Sequence, residues 1–461
     1  MRPGEEDGVE EQVDAIVIGM GPGGEQLAGD LAEAGLNVVG IEERLVGGEC
    51  PYFACVPTKM MVRAAGLLAE ARRVDGMAGG AVVTPDWSPV AARIRDEATD
   101  DWNDSVSVER FERKGGHFVR GSGRFQSRNQ VAVGDRMFTA GRAIVINTGT
   151  APAIPPIDGL RDVPYWTNRD MVRLTHVPES LAILGAGPVG VELAQVCNRF
   201  GSRITVIEGG DRLLPLEEPE SSALIADVFR REGIELRTGR HAVAVRQVDV
   251  GIDVALDGGA SVTARNILVA TGRRSDLAAL QIARAGLDET AHAISVDDRL
   301  RAAPGIWAIG DITGKGAFTH VSMYQARVAL DDILGRDGPR ADYRAVPRVT
   351  FTDPEVGAVG MTEQEARAHG ITVRVGMASL PKTARGWIHK AGNDGFIKLI
   401  EDSDRHVLVG ATSVGPVGGE VLSMLSVAVH AEVPVATLRT MITAYPTFHR
   451  GLEDALRRLT S

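Results

Sequence analysis

The pattern of apolar and polar residues changes at about Val346. Near residues 15–42, and again near residues 181–208, a short apolar run, a glycine-rich turn, a helical pattern and a second apolar run follow one another. This order predicts two βαβ units, each with parallel strands. From about Val346 apolar and polar residues alternate, and two helical patterns follow. Because alternation is typical of an antiparallel sheet, we predict an α/β protein with a separate C-terminal α+β domain.

The first βαβ pattern contains Gly19, Gly21 and Gly24 in the spacing G-x-G-x-x-G. In this spacing the first glycine permits a tight turn, the second lets the backbone approach a pyrophosphate, and the third lets the helix pack on the strand. The carboxylate of Glu42, at the end of the second predicted strand, can accept hydrogen bonds from an adenosine ribose. The motif in this setting predicts a dinucleotide-binding fold of the Rossmann type. The elements predicted around it are a strand at residues 15–18, a helix at 24–34 and a strand at 38–41.

The same pattern returns with Gly185, Gly187 and Gly190, and its second strand ends at Glu208. Two dinucleotide folds in one chain suggest an electron path between two cofactors, and flavin with nicotinamide is the usual pairing. Glu208 can bind the ribose 2′-hydroxyl of NADH and would repel the 2′-phosphate of NADPH, so NADH is the expected nicotinamide and NADPH the less favoured one. Arg212, four residues on, is a cation that could reduce this repulsion.

Three further segments read as strand ends that contact a dinucleotide. They contain Thr148-Gly149, Gly272 and Gly310-Asp311. The first two are expected where the chain crosses between domains. The carboxylate of Asp311 can bind a ribityl or ribose hydroxyl, and an ordinary aspartate between a strand and a loop is the alternative.

Composition narrows the class of protein. The 461-residue chain has a formal net charge of −11, which argues against nucleic acid or an anionic membrane as a partner. No apolar run approaches the roughly 20 residues that cross a bilayer. The first twelve residues, MRPGEEDGVEEQ, are acidic and polar, so we predict a short solvated tail and no secretion signal. Three cysteines are too few for a disulfide framework, and a cytoplasmic location is expected.

Two of the three cysteines, Cys50 and Cys55, are separated by only four residues. Structural zinc needs about four ligands, no histidine lies at ligand spacing in this segment, and Cys197 is expected to be buried packing, so no metal is predicted. A redox disulfide fits better. However, Cα atoms five positions apart in a straight helix lie roughly 8–9 Å from each other, beyond the limit of about 7 Å for a disulfide. The first helical turn must therefore be distorted, and Pro51 is placed to assist.

The segment GGECPYFACVPTK, from Gly47 to Lys59, resembles the GG-x-C-x4-C-x-P-[ST]-K motif of one enzyme family. The family is the pyridine nucleotide-disulfide oxidoreductases of the glutathione reductase, dihydrolipoamide dehydrogenase and mercuric reductase type. "AIGD" and "TDPEVGAVGMTE" also match, and the resemblance extends from about Asp14 to Leu459. It implies a homodimer whose FAD domain is interrupted by an NAD domain and followed by a dimerisation domain. The predicted limits are 1–150 and 276–345 for the two parts of the FAD-binding domain, 151–275 for the NAD-binding domain and 346–461 for the dimerisation domain.

The resemblance also implies catalytic roles. Cys55 would be the charge-transfer thiolate against the flavin, and Cys50 the interchange thiol that meets the substrate. Lys59 would lie near flavin N5 and pair with Glu192. A buried lysine and glutamate each need a partner, which supports the pair. Without the resemblance, both would be read as ordinary charges on a helix face.

One departure from the family concerns residues 443–450. The family's disulfide reductases end in a stretch like H-x-H-P-T-x-x-E, whose second histidine is the acid–base and whose glutamate orients it; here Tyr445 and Arg450 occupy those positions. Tyrosine there resembles mercuric reductases and some quinone-reducing relatives, but the extra C-terminal cysteine pair of mercuric reductases is absent from the sequence. Tyr445 is expected to act across the dimer interface, with simple packing as the alternative. His449, one residue from the glutamate position, could be a substitute base. On a helix, however, one position turns a side chain about 100° around the axis, so a surface or interface histidine is expected instead.

Three functions are weighed against each other. The first is an FAD-dependent NADH oxidoreductase in which hydride passes from NADH to FAD and electrons pass through a Cys50–Cys55 disulfide to a disulfide or related thiol-reactive acceptor. The second delivers electrons directly from flavin to quinones or dyes. The third is a non-catalytic flavin-binding regulator, against which the two intact nucleotide motifs and the cysteine pair argue. The sequence predicts a small-molecule electron acceptor without naming it.

Overall fold

The structure, a computed structural model, describes residues 10–459 and divides into two units. The first unit comprises the chain up to Pro57, Arg93–Pro152 and Arg273–Tyr343. The second comprises Thr58–Ala92, Ala153–Gly272 and the chain from Arg344 onward. Each unit is therefore built from three separate pieces of the sequence, and the boundary near Thr58 falls within the helix Cys55–Arg72.

The first unit is centred on an eight-stranded sheet whose middle strands are parallel. Its main path has the spatial order Arg301–Ala303, Ile306–Ala308, Arg136–Ile146, Glu10–Ile18, Val38–Glu42 and His117–Arg120, and Arg124–Phe125 and Gln130–Val133 extend it beside Arg136–Ile146. Successive residues of the first strand, such as Ile16 and Val17, are fully buried and belong to two different hydrophobic cores on opposite faces of the sheet. Burial of both faces explains why this strand is a continuous apolar run.

Helices and short elements complete the first unit. The helix Pro22–Glu33, which we call the first glycine helix, packs against Thr319–Leu334. A two-stranded ribbon joins Ala151–Pro152 to Arg273–Arg274. The remaining elements are the helices Glu49–Tyr52 and Ser105–Arg113, the π-helical turn Ile94–Ala98 and the 3-10 turns Ile282–Ala285 and Asp311–Thr313.

In the second unit, the second glycine motif lies between two strands of a five-stranded parallel sheet. Its spatial order is Glu235–Thr238, Arg203–Glu208, Ser180–Leu184, Asn266–Val269 and Tyr165–Trp166. The helix Pro188–Arg199, which we call the second glycine helix, lies in sequence between the strands Ser180–Leu184 and Arg203–Glu208. The other elements of this part are the helices Asn168–Met171 and Pro219–Arg231, the 3-10 turn Leu160–Asp162 and an antiparallel sheet of Ala242–Val248, Gly251–Leu256 and Ser261–Ala264.

The C-terminal part of the second unit is an antiparallel sheet covered by helices. The strands run in the spatial order Pro347–Thr350, Glu355–Gly360, Val407–Gly415, Phe396–Asp402 and Val373–Ser379. Its helices are Glu363–Ala368, Ala384–His389, Gly418–His430, Val435–Thr440 and Gly451–Arg457, with a 3-10 turn at Leu380–Lys382. The second unit also contains the helix Cys55–Arg72 from Thr58 onward and most of Ser88–Arg93.

The predicted fold class is confirmed, and three local predictions need correction. The first strand begins at Glu10, so Glu10–Gln12 are not part of a solvated tail, and residues 1–9 of that predicted tail lie outside the described residues. The strand before Asp311 ends at Ala308, and Asp311 opens a 3-10 turn instead. The last helix begins at Gly451, which leaves His449 in a turn. Across residues 10–459, no helix is long and apolar enough to span a bilayer.

Candidate active site

The first glycine loop packs so tightly that two of its glycines cannot be replaced. A Cβ atom added at Gly19, which has φ of +91°, would lie 2.4 Å from the carbonyl oxygen of Asn147, and one at Gly24 would lie 2.1 Å from the carbonyl oxygen of Gly19. At Gly21 the nearest atom would be the Asn147 amide nitrogen, at 3.3 Å. The first and third glycines are therefore required by packing, and the second presents a bare backbone, as a pyrophosphate cradle requires.

The acidic residue at the end of the next strand is fixed by the loop itself. The Glu42 carboxylate accepts hydrogen bonds of 2.8 Å from the backbone N–H groups of Met20 and Arg44. Burial raises the pKa of Glu42, and these two hydrogen bonds and the nearby Arg120 oppose that rise. The carboxylate keeps acceptor capacity for a ribose hydroxyl because each oxygen has a second lone pair.

Asp311 lies in a polar cluster that the sequence did not predict in full. The Thr150 hydroxyl donates a 2.8 Å hydrogen bond to Asp311, and Arg273 donates to the Thr150 hydroxyl at 2.7 Å and to the Thr150 carbonyl at 2.6 Å. The Arg273 guanidinium lies 3.9 Å from the Asp311 carboxylate and 3.6 Å from that of Glu49. Thr148 and Gly149 come directly before Thr150 in the sequence. The open glycine loop, the Glu42 carboxylate and this cluster are a donor and acceptor set that fits FAD.

The second glycine loop repeats this geometry in the second unit. Added Cβ atoms at Gly185 and Gly190 would lie 2.4 Å from the Ala270 carbonyl oxygen and 2.1 Å from the Gly185 carbonyl oxygen, whereas one at Gly187 would have no neighbour within 4 Å. Gly272, at the end of a neighbouring strand segment, has φ of +116°, which favours glycine. Gly187 is thus open to a bound pyrophosphate.

Glu208 occupies the position that Glu42 occupies in the first unit. Its carboxylate accepts hydrogen bonds from the backbone N–H groups of Ala186, at 2.7 Å, and Gly210, at 2.8 Å. Arg212 is directed to other acceptors: its guanidinium donates to Ser222 and to the carbonyls of Pro215 and Glu217. The cation that could have reduced the repulsion of a 2′-phosphate is therefore held elsewhere.

The cysteine segment is interrupted as the disulfide geometry requires. Cys50 lies in the short helix Glu49–Tyr52, Phe53 and Ala54 are not helical, and Cys55 begins the long helix Cys55–Arg72. The Cys55 sulfur lies 3.5 Å from the Thr319 hydroxyl. Within residues 10–459, no three His, Cys, Asp or Glu side chains are grouped to hold a metal ion.

The cysteine segment also lies directly against the first glycine loop. A Cβ atom added at Gly48, which has φ of +66°, would lie 2.9 Å from the Cα atom of Gly21. Only glycine therefore permits this approach. The segment that carries Cys50 is thereby held next to the proposed pyrophosphate cradle.

Lys59 and Glu192 form an ion pair in the second unit. The lysine Nζ lies 2.6 Å from Glu192 Oε2, with the glutamate side chain 6% exposed and the lysine side chain 35% exposed. The other Glu192 oxygen accepts a 2.8 Å hydrogen bond from the backbone N–H of Phe351. The lysine Nζ also lies 4.7 Å from the centroid of the Phe351 ring. Phe351 is a contact that sequence reasoning missed, because it lies nearly 300 residues from Lys59.

The segment around Tyr445 departs from helical geometry. Tyr445 is exposed, and the Arg450 guanidinium lies 5.4 Å from the centroid of its ring. Arg450 also pairs with Glu453 at 3.0 Å, and Glu453 accepts a hydrogen bond from the Thr443 hydroxyl. Arg450 therefore stacks on Tyr445 and does not accept a proton or a hydrogen bond from it. His449 lies in a turn, so the helical angle expected for it does not apply.

Comparison with known proteins identifies the class. A family model described as pyridine nucleotide-disulphide oxidoreductase matches residues 13–329, and the dimerisation domain of the same family matches residues 346–456. The chain therefore belongs to the pyridine nucleotide-disulphide oxidoreductases, a family of flavoenzymes that use FAD and a pyridine nucleotide.

Individual relatives within this family carry different names. The chain is 32% identical over 465 residues to a dihydrolipoyl dehydrogenase from Thermus scotoductus, covering 97% of each protein. It is 32% identical over 458 residues to a mercuric reductase from Streptomyces lividans, covering 97% of this chain and 96% of that protein.

Solved structures agree on the fold. The Cu(II) complex of the HOCl-induced flavoprotein disulfide reductase RclA from Escherichia coli has a TM-score of 0.86 at 27% identity, covering 97% of this chain and all of that chain. LpdA from Mycobacterium tuberculosis has a TM-score of 0.85 at 25% identity, covering 98% of this chain and all of that chain. The names of these relatives span several acceptors, so membership of the family establishes the flavoenzyme class and not the acceptor.

Proposed function

We propose that this chain is an FAD-dependent NADH oxidoreductase that uses Cys50 and Cys55 as a redox-active disulfide. One observation carries the proposal. The helix break at Phe53 and Ala54 removes the straight-helix geometry that would keep the two cysteines too far apart for a disulfide. Gly48 brings the segment onto the first glycine loop.

The residues proposed to hold the cofactors follow from the two loops. Gly19, Gly21, Gly24, Glu42 and Asp311 would bind FAD, which when bound supplies a two-electron relay between nicotinamide and disulfide. The second loop, with Glu208, would bind NADH. The backbone hydrogen bonds that hold both carboxylates leave each of them with acceptor capacity for a ribose hydroxyl.

The proposed overall reaction balances with a disulfide acceptor. One NADH and one proton reduce one acceptor disulfide to two thiols and leave NAD⁺. Cys50 would attack the acceptor as a thiolate and form a mixed disulfide, and Cys55 would then attack Cys50, release the second product thiol and close the Cys50–Cys55 disulfide again. Lys59 and Glu192 are further proposed catalytic residues. The proposed assembly is a homodimer, which the match to the dimerisation domain supports.

A second candidate is direct reduction of quinones or dyes from the flavin. It is favoured by the segment at residues 443–450, where Tyr445 replaces the acid–base histidine and Arg450 stacks on its ring. Thiol exchange needs a group that takes and returns a proton near neutral pH, which histidine does well and tyrosine, with an ordinary pKa of about 10, does poorly. Quinone reduction does not need this group.

An acceptor panel separates the two functions. NADH oxidation should be measured with lipoamide, glutathione disulfide, Hg(II), Cu(II) and a quinone, using wild type and Cys50→Ala, with Cys197→Ala as the control for loss of a distant cysteine. The proposal expects Cys50→Ala alone to lose turnover with the thiol-reactive acceptors. Equal turnover of all acceptors by wild type and Cys50→Ala would leave the second candidate in place.

A spectrum tests the role of Cys55 independently of the acceptor. Two-electron reduction of wild type should produce the long-wavelength absorbance that a thiolate gives beside oxidised flavin. Cys55→Ser should lose this band. Its persistence in that variant would show that the roles of the two cysteines are misassigned.

A further inference from the structure

A strained turn lies beside the cysteine segment in the first unit. Asp100, Asp101 and Trp102 have φ of 47°, 52° and 58°, so three consecutive residues other than glycine adopt the left-handed conformation. Such residues usually occur singly, because the Cβ atom approaches the following carbonyl. Strain of this kind persists only where the surroundings impose it, and it concentrates at functional sites.

Hydrogen bonds on both sides impose the conformation. The turn follows the π-helical turn Ile94–Ala98, and the Asp101 N–H donates to the Arg95 carbonyl at 2.7 Å. The Thr99 hydroxyl donates to the Ile94 carbonyl at 3.0 Å, and the Asn103 N–H donates to the Thr99 carbonyl at 3.1 Å. The backbone therefore cannot relax without breaking several hydrogen bonds.

The residues that this turn delivers hold the cysteine segment at two points. The Trp102 indole N–H donates a 3.1 Å hydrogen bond to the carbonyl of Tyr52. The buried Asp104 carboxylate accepts a 2.7 Å hydrogen bond from the backbone N–H of Val46 and pairs with Arg120. Val46 and Tyr52 are the two ends of the stretch that carries Cys50.

A third contact comes from the helix that follows. Burial raises the pKa of the Tyr52 hydroxyl, and the nearby Ser107 side chain opposes that rise. Tyr52 is the last residue of its short helix, so its carbonyl has no continuing helical turn to accept from. The indole of Trp102 provides that missing partner. We call residues 99–107 the clamp.

We infer that Trp102 is a positioning residue that fixes Cys50 relative to Cys55 through the Tyr52 carbonyl. This inference rests on the proposed function, because it needs the two cysteines to form a redox disulfide. Phe53 and Ala54, which link them, are not helical, so the two cysteines do not lie on one continuous helix. A clamped Cys50 has a higher effective concentration at Cys55, which favours the disulfide over the dithiol.

The test is the thiol–disulfide equilibrium of the FAD-loaded enzyme in glutathione buffers. Oxidised and reduced protein are quantified by acid quench, alkylation and mass measurement, so the readout does not depend on turnover. Trp102→Phe keeps an aromatic ring and removes the N–H. Its disulfide should be about tenfold less favoured than that of wild type, which corresponds to a potential about 30 mV higher for a two-electron couple.

Trp87→Phe is the matched control. The Trp87 indole N–H also donates to a carbonyl, that of Leu174 at 2.8 Å, and lies in the second unit. Loss of this bond should lower the thermal midpoint without changing the glutathione equilibrium. An equal shift in Trp87→Phe and Trp102→Phe would overturn the inference, because it would reduce the effect to general destabilisation.

A milder variant covers the case in which Trp102→Phe does not fold. Ser107→Ala removes the hydroxyl beside Tyr52, together with the 3.1 Å hydrogen bond that this hydroxyl accepts from Arg110. It should shift the equilibrium about two- to threefold in the same direction. Wild-type equilibria in the folded clamp variants would refute the positioning role. If the wild type forms no Cys50–Cys55 disulfide at any glutathione ratio, the proposed function itself fails, and this outcome is distinct from the previous one.

Discussion

Removal of the Lys59 ammonium should lower the free energy of unfolding, and the burial of its ion pair determines by how much. The pair with Glu192 spans 2.6 Å, and the glutamate is almost fully buried while the lysine is about one-third exposed. Lys59→Met keeps an unbranched apolar stem of similar length. The variant therefore leaves the Glu192 carboxylate buried with the Phe351 N–H as its remaining hydrogen-bond donor from this group of residues.

The stability lost in Lys59→Met should lie between the values known for fully buried and for exposed ion pairs. Breaking a fully buried ion pair costs about 3–5 kcal/mol because a buried charge is left uncompensated. An exposed pair contributes about 0–1 kcal/mol. The one-third exposure of Lys59 lets water screen the pair, and the Phe351 N–H retains part of the stabilisation of the carboxylate. We therefore expect about 2 kcal/mol, or a fall of about 2–4 °C in the thermal midpoint of a chain of this size.

A double-mutant cycle isolates the pair. Thermal unfolding of the FAD-loaded protein should be followed for Lys59→Met, Glu192→Gln and the double variant. Because a glutamine in place of Glu192 carries no charge to leave uncompensated, the double variant should lose much less than the sum of the two single losses, with a coupling of at least about 1 kcal/mol. Arg203→Met is the matched control, since its pair with Glu179 has side chains 73% and 59% exposed.

Two results would refute this reasoning. One is a loss in Lys59→Met no larger than the loss in Arg203→Met. The other is additivity in the cycle, which would show that the two charges do not stabilise each other. NADH-to-dye activity gives a separate answer: a double variant with restored stability and no activity would support a catalytic role for the Lys59–Glu192 pair.

Three further predictions concern separate residues. NADH should be preferred to NADPH because Glu208 would repel a 2′-phosphate, and the Arg212 guanidinium, which could offset that repulsion, is bonded to Ser222 and two carbonyls instead. Glu208→Ala should lower kcat/KM for NADH by about 10–100-fold, which corresponds to the loss of one hydrogen bond to a charged group. Equal or better kcat/KM of wild type with NADPH would contradict the assignment. Burial raises the pKa of the Cys197 thiol to about 12, so at pH 8 it should remain protonated and react with Ellman's reagent only after unfolding; rapid reaction of three thiols in the reduced native protein would oppose this. Lipoamide should be turned over far more slowly than a quinone or dye, and brisk lipoamide turnover by wild type would overturn this claim. Tyr445→Phe should change the kinetics with at least one acceptor if the tyrosine hydroxyl takes part. Unchanged kinetics with every acceptor would leave Tyr445 as interface packing.

Local geometry explains which parts of the site the sequence could predict. Gly19 and Gly24 are required by close contacts of the turn between one strand and one helix, so their spacing is visible in the sequence. The interruption between Cys50 and Cys55 could be predicted as well, because it follows from the reach of a disulfide bond. In each case the motif itself occupies a short stretch of the chain.

The contacts that the sequence could not predict connect distant residues. Arg273 reaches Thr150, and Phe351 reaches Glu192, across more than 100 residues. No periodicity records such a pairing. Trp102 gave a weak signal, since the two residues before it are aspartates, a residue type enriched in left-handed backbone, but only the folded chain brings its indole to the cysteine segment.

The two glycine motifs are proposed to bind different cofactors, and the surroundings of their second glycines differ. A Cβ atom added at Gly21 would lie 3.3 Å from the Asn147 amide nitrogen, and one added at Gly48 would lie 2.9 Å from the Cα atom of Gly21. The segment that carries Cys50 therefore packs directly against the backbone of the first glycine loop. A Cβ atom added at Gly187 would meet no atom within 4 Å, so the second glycine of this loop has no comparable neighbour. This difference agrees with the proposed pairing of FAD, held at the loop that the cysteine segment contacts, with NADH, which must exchange at each turnover, at the more open loop.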